Sequence, residues 1–232
     1  MDPTPMLLAR LRGGLIVSCQ PESEDRRSDP MNSPAIMAAL AAAAVRGGAV
    51  AVRVDSPGDI AAVRAVVAVP VIGILKRDVP GFAVRITPTL EDAQRVAAAG
   101  ADAIALDATG RPRPGGRSAA ELIQAVKAAT RLPVFADVAT REDGLAAAEA
   151  GADAVLPTLA GPAADSGDGP NFGLLEELIR STRVPVIAEG RIATPAQAAR
   201  ALGLGAWAVC VGTAITRPRA ITAGFVAALR GN

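Results

Sequence analysis

Five ionisable side chains, Arg53, Lys76, Asp107, Asp137 and Glu189, and two polar ones, Gln20 and Thr158, stand at or beside the ends of short apolar runs. An eighth run ends in Gly212-Thr213. Polar residues open loops in any protein, so one such position means little. Seven in succession place possible bases, acids and anion-holding groups in one repeated context. A lysine becomes a general base once burial or neighbouring cations lower its ordinary pKa of ~10.4. Carboxylates supply acids or bases, and an arginine stabilises an oxyanion. The chain has no His, no Tyr and, as aromatics, only four Phe and one Trp. Without His, the usual His-bearing zinc sites and a Ser-His-Asp triad are excluded. Proton transfer near neutral pH then falls to a tuned Lys, Asp, Glu or Cys. The scarcity of aromatics weighs against an RNA platform that stacks bases.

The 24 basic and 23 acidic residues leave a net charge of +1. No general field for nucleic acid or an anionic membrane follows from that, so neither is expected as a partner. Cys19 and Cys210 lie inside apolar runs and read as reduced, buried small hydrophobes. Neither has a His to activate it as a nucleophile. No stretch offers the ~18 unbroken apolar residues of a membrane span. The N-terminal residues lack the pattern of a secretory signal. The expectation is a soluble cytoplasmic protein.

The elements that must carry the polar residues alternate in type. Strands are predicted at 15–19, 50–54, 71–75, 103–106, 134–136, 154–156, 186–188 and 208–211, and they read as the continuous apolar runs of a sheet buried on both faces. Helices are predicted at 33–46, 57–67, 90–99, 118–130, 141–150, 172–181, 195–202 and 219–229. Thr194 and Pro195 suit the cap and first turn of the seventh. Gly-Gly-Ala-Val-Ala-Val from Gly47, Gly-Ala-Asp-Ala-Ile-Ala from Gly100, Gly-Ala-Asp-Ala-Val-Leu from Gly151 and Gly-Ala-Trp-Ala-Val-Cys from Gly205 recur with a period of ~52 residues. Val69-Pro70-Val71, Leu132-Pro133-Val134 and Val184-Pro185-Val186 fall between them. Two βα units traversed four times predict a single (β/α)8 TIM barrel, an α/β fold, over 14–232 after a short leader at 1–13. An open doubly wound sheet is the competitor. Segments 21–30 and 157–170 are predicted loops on the strand-to-helix side, the first of them mobile, and that side is where such barrels hold their active sites.

With the strand ends set out, the chain resembles the N-acetylmannosamine-6-phosphate 2-epimerase family. The resemblance rests on Ile16-Val17-Ser18-Cys19-Gln20, Val52-Arg53-Val54-Asp55-Ser56, Ile72-Gly73-Ile74-Leu75-Lys76-Arg77-Asp78, Ile86-Thr87-Pro88-Thr89, Ile104-Ala105-Leu106-Asp107-Ala108-Thr109, Ala136-Asp137-Val138-Ala139-Thr140, Val186-Ile187-Ala188-Glu189-Gly190-Arg191-Ile192 and Val211-Gly212-Thr213-Ala214-Ile215-Thr216-Arg217-Pro218, in order. It implies a cofactor-free and metal-independent isomerase. Such an enzyme interconverts N-acetylmannosamine 6-phosphate and N-acetylglucosamine 6-phosphate in sialic-acid and amino-sugar catabolism, as a homodimer. Inversion at C2 requires ring opening, removal of the C2 proton to give an enolate, and return of the proton to the other face.

On that reading Lys76 is the base. Arg53 lowers the lysine's proton affinity and holds the enolate oxygen. Glu189, from the strand opposite Lys76, assists ring opening, and Asp137 orients Lys76 or binds a sugar hydroxyl. Gln20 and Thr158 contact substrate. Gly190, Arg191, Gly212, Thr213 and Arg217 form phosphate-binding loops after strands 7 and 8. Asp107 either joins the site or ties its own loop. One departure stands out: where the family carries Ser-Gly-Tyr-Thr after strand 6, this chain reads Thr158-Leu159-Ala160-Gly161-Pro162-Ala163, with no Tyr. Two alternatives stay open. One is a sugar-phosphate synthase or lyase using Lys76 as a Schiff base, and the other is a barrel that binds a sugar phosphate without turning it over.

Overall fold

The computed structural model describes residues 3–22, 28–162 and 169–231. Eight parallel strands run in the order β6-β5-β4-β3-β2-β1-β8-β7, and a bridge between Val155 and Val186 brings the two ends of the sheet together. The strands are β1 (Leu15–Cys19), β2 (Ala51–Asp55), β3 (Val71–Ile74), β4 (Ala103–Asp107), β5 (Val134–Asp137), β6 (Ala154–Leu156), β7 (Ile187–Glu189) and β8 (Ala208–Val211). The helices following the first seven are α2 (Pro34–Arg46), α3 (Pro57–Arg64), α4 (Leu90–Ala98), α5 (Ala119–Thr130), α6 (Arg141–Glu149), α7 (Phe172–Ser181) and α8 (Pro195–Gly203). This is the (β/α)8 barrel expected from the repeat, with strand ends displaced by at most one residue. The predicted loops at 21–30 and 157–170 fall partly outside the described residues.

The repeat has a physical basis. The aspartate of each Gly-Ala-Asp unit turns back to the preceding strand. Asp102 accepts from the amide of Val71 and from Arg64, at 2.8 and 2.6 Å. Asp153 accepts from the amide of Val134 and from Lys127, at 2.8 and 2.7 Å. The proline before each of those valines starts the strand without a donor to place. Helix starts follow local chemistry as well. Ser118, Thr140 and Thr194 form reciprocal capping boxes with Glu121, Asp143 and Gln197.

Strand side chains alternate across the barrel wall. Residues 17, 19, 52, 54, 104, 106, 134, 136, 209 and 211 pack outward against the helices. Ile16, Ala51, Ile72, Ala103, Phe135, Ala154, Ile187 and Ala208 point inward. Two residues further along, the same inward face carries Ser18, Arg53, Asp137 and Glu189 on β1, β2, β5 and β7, while Ile74, Ala105, Leu156 and Cys210 keep it apolar on the other four strands. The barrel floor is closed from below by α1 (Thr4–Leu11), whose Leu7 and Leu11 join the inner cluster. Trp207 donates from Nε1 to the carbonyl of Leu8 at 2.7 Å, with Arg12 over its ring. Within the segment read from sequence as a leader, Thr4–Leu11 is therefore a helix with a packing role.

Two further features were not foreseen. Above the β3–β4 pairing, which stops at Gly73–Ile104, the backbone of Ile86-Thr87 inserts between the two strands. Thr87 adopts φ +46°, a conformation costing a β-branched residue of order 1–3 kcal/mol. The second is the short helix α9 (Thr213–Thr216), which stands between β8 and α10 (Pro218–Leu229). α10, predicted at 219–229, has no buried residue, and its Phe225 and Leu229 are 70% and 87% exposed.

Candidate active site

One pocket at the C-terminal mouth of the barrel, about 260 Å³, is lined by Ser18, Gln20, Arg53, Lys76, Ile86, Thr158, Glu189, Gly190, Arg191, Ile192, Cys210, Gly212, Thr213 and Arg217. Of the residues singled out in the sequence, ten are in this wall. Of the other two, Asp137 lies just beneath it, fully buried, and Asp107 stands apart. The two-residue strand period explains the convergence. Gln20, Arg53, Lys76, Asp137, Thr158, Glu189 and Gly212 all continue the inward parity of their strands.

Arg53 organises the floor. It is 1% exposed, and its Nη2 donates to Asp137 Oδ2 at 2.6 Å while Nη1 donates to Glu189 Oε2. Burial opposes the guanidinium's charge, but the Asp137 and Glu189 carboxylates outweigh it and push its pKa up. One cation thus balances two carboxylates. Asp137 pays for its position: burial raises its pKa, Arg53 opposes that rise, and Glu189 adds to it. Its other oxygen accepts from Thr158 Oγ1 at 2.5 Å. Asp137 therefore touches Arg53 and Thr158 rather than Lys76.

Lys76 is where burial and cations act together. Desolvation, then Arg53 and more weakly Arg217, lower its pKa to about 8, against the opposing pull of Asp55 and Glu189. About a tenth of the side chain is then neutral at pH 7, far more than for an exposed lysine. Asp55, buried one inward step beyond Arg53, accepts from the Lys76 amide at 2.8 Å and fixes the start of the loop. Asp55 was missed in the sequence, although its parity with Arg53 would have marked it.

Gln20 is 3% exposed. Its Nε2 lies 2.5 Å from Ser18 Oγ, and its Oε1 is buried with no protein partner. An orphaned acceptor on a pocket wall suits a ligand donor. After β7, Gly190 and Arg191 take φ +114° and +58°. A side chain at 190 would press on the Pro157 carbonyl at 3.3 Å, and one at 212 on Ser18 at 3.2 Å, so glycine lets these turns approach the barrel axis. Thr216 Oγ1 donates to the Ser18 carbonyl at 2.7 Å, tying α9 to β1. The turn pair gathers Arg191 and Arg217 on one side of the pocket, a cationic wall suited to an anion.

Asp107 is not part of this wall. Its Oδ1 accepts from the amide and hydroxyl of Thr109, at 2.9 and 2.6 Å, so it ties its own loop. Cys19 and Cys210 are both free and buried. Burial pushes Cys19 up to about 12, and burial with the adjacent Glu189 raises Cys210. Both remain thiols, packing atoms rather than nucleophiles. Cys210 nonetheless lines the pocket, which its inward parity accounts for.

A family model described as "Putative N-acetylmannosamine-6-phosphate epimerase" matches residues 37–231. A Thermosynechococcus vestitus protein described as "Putative N-acetylmannosamine-6-phosphate 2-epimerase" is 48% identical over 228 residues, covering 97% of each chain. A Cutibacterium acnes protein with the same description is 48% identical over 231 residues, covering 98% of each. The solved N-acetylmannosamine-6-phosphate 2-epimerase of Clostridium perfringens is 40% identical and matches with a TM-score of 0.88 over 95% of both chains. A thiamine phosphate pyrophosphorylase from Pyrococcus furiosus, 19% identical with a TM-score of 0.58, shares the fold alone. With its family model, its relatives and its barrel in agreement, the chain belongs to the N-acetylmannosamine-6-phosphate epimerase family.

Proposed function

We propose that this protein interconverts N-acetylmannosamine 6-phosphate and N-acetylglucosamine 6-phosphate by inverting C2 of the open-chain sugar. The observation that carries the reading is a lysine with its pKa lowered to about 8, in a pocket that also holds an arginine–carboxylate floor and a cationic wall. Neutral Lys76 takes the C2 proton, and the C–H electron pair forms the C1–C2 double bond as O1 gains negative charge. The resulting lysinium, or a second acid, returns a proton to the opposite face of C2. Arg53, tied to two carboxylates, contributes positive potential from below. Glu189 is positioned to move the proton that ring opening requires. Asp137 with Thr158 holds the arginine in place. Gln20 accepts from the acetamido N–H or a hydroxyl. Gly190, Arg191, Gly212, Thr213 and Arg217 bind the phosphate. The test is turnover of N-acetylmannosamine 6-phosphate followed by proton NMR. Appearance of N-acetylglucosamine 6-phosphate supports the reading, and none at millimolar substrate contradicts it. Its metabolic setting would be the cytoplasmic breakdown of sialic acid and other amino sugars.

We infer that the protein works as a homodimer. α10 supports this: it is largely apolar yet has no buried residue. A slot of about 460 Å³ on the barrel wall, lined by Leu15, Ala198, Leu202, Val209, Val211 and Ile215, lies where a barrel's last helix ordinarily packs. The occupant is α10 of a second copy. Light scattering is expected to show a dimer, and Phe225→Asp with Leu229→Asp to shift it toward monomer. A wild-type monomer at micromolar concentration would contradict the inference.

A further inference from the structure

We propose that Ile86 is a positioning residue for Lys76: held over the barrel mouth by Thr87, it keeps water away from the lysine side chain. The inference rests on the reading of Lys76 as the base. Lys76 and Ile86 are joined by an antiparallel bridge. Hydrogen bonds from Arg77 N–H to the Arg85 carbonyl and from Thr87 N–H to the Leu75 carbonyl, at 3.1 and 2.8 Å, flank it on either side. That pattern makes 76 and 86 the non-hydrogen-bonded kind of pair, in which side chains sit closest and on one face. The face is the pocket, which both residues line, and Ile86 is only 5% exposed.

Ile86 is locked in place from both neighbouring strands. Its carbonyl accepts from the Asp107 amide on β4 at 3.0 Å. Thr87 Oγ1 donates to the Ala105 carbonyl at 2.7 Å and accepts from the Leu75 amide at 3.2 Å. The left-handed backbone at Thr87 is thus held by a hydroxyl bridging β3 to β4, which turns the apolar side chain of Ile86 beside the lysine. The charged groups facing Lys76 are Arg53 and Asp55 on β2, Glu189 on β7 and Arg217 after α9. Arg191 stands on the same pocket wall, and the Asp107 carboxylate is turned into its own loop. These charges pull in both directions, and burial is the largest influence lowering the lysine's pKa. Ile86 is an apolar contributor to that burial.

Limiting acetic anhydride labels each amine according to its neutral fraction. Mass spectrometry separates the Lys76 peptide from that of Lys127, the chain's other lysine. In the wild type the Lys76 midpoint is expected near 8. Ile86→Ala should raise it by about one pH unit and carry the acidic limb of kcat with it, cutting kcat about tenfold on the acid side. Lys127 should not move, and Ile86→Val should restore both readouts. Ile86→Thr, close to valine in shape but carrying a hydroxyl, gives the same upward shift should the alanine variant fold poorly. A purely structural role would lower kcat at every pH without moving the Lys76 midpoint, and that result in either folded variant overturns the inference. A midpoint that moves while the kcat limb stays leaves Ile86 in its role and removes Lys76 as the base.

Discussion

The two ends of this barrel are lined by alternate residues of the same eight strands, yet they are built for different work. At the floor the inward positions are Ala, Ile and Phe135, sealed by Leu7 and Leu11 of α1. Towards the mouth, one or two inward steps along, the same face holds Arg53, Asp55, Asp137 and Gln20, all buried, with Lys76 and Glu189 beside them. Burying charge costs free energy unless it is paired, and the mouth meets that cost by sharing one guanidinium between two carboxylates. The residue left most compromised is Lys76, buried beside cations. The floor serves stability alone, and reactivity is confined to the mouth.

Substitutions at each end can break or sharpen that contrast. The largest effect is expected from Lys76→Ala: kcat should fall between about a hundred- and ten-thousand-fold. The melting temperature should not drop, because the ammonium it removes is poorly solvated. Arg53→Met should damage both properties. It leaves Asp137 and Glu189 without their cation, so urea unfolding should show a loss of ~3–5 kcal/mol together with loss of turnover. Leu11→Ala belongs to the other end. It should cost ~2–5 kcal/mol in the same unfolding measurement, while kcat and KM stay unchanged below the melting range. If Leu11→Ala altered kcat as Lys76→Ala does, the division between floor and mouth would not hold. Thr158→Val is the mildest. Loss of the hydroxyl on Asp137 should cost ~1–3 kcal/mol and raise the Asp137 pKa further, seen as weaker activity toward acid pH, with Thr158→Ser retaining both. For the wild type, kcat should rise with pH through about 8 as the lysine loses its proton.

The barrel was legible because its repeat is local chemistry. A proline precedes β3, β5 and β7, and for the first two an aspartate one βα unit later accepts the amide at the strand start, as with Val71 and Asp102. The mouth was legible because strand-end residues share a parity. What escaped depends on distant partners. α1 is a helix because Trp207 and the barrel floor receive it, and nothing within 1–13 announces them. Ile86-Thr87 is a two-residue insertion whose backbone only its hydrogen bonds to β3 and β4 can hold. Arg53 was expected to meet the enolate directly. Its two terminal nitrogens instead face Asp137 and Glu189, an arrangement set by strands far apart in sequence.

The central claim is that Lys76 moves the C2 proton. Epimerisation in deuterium oxide, read by proton NMR at C2, tests it most directly. The wild type should convert N-acetylmannosamine 6-phosphate and wash solvent deuterium into C2, while folded Lys76→Ala should do neither. Deuterium exchange at C2 persisting in Lys76→Ala at the wild-type rate would contradict the account.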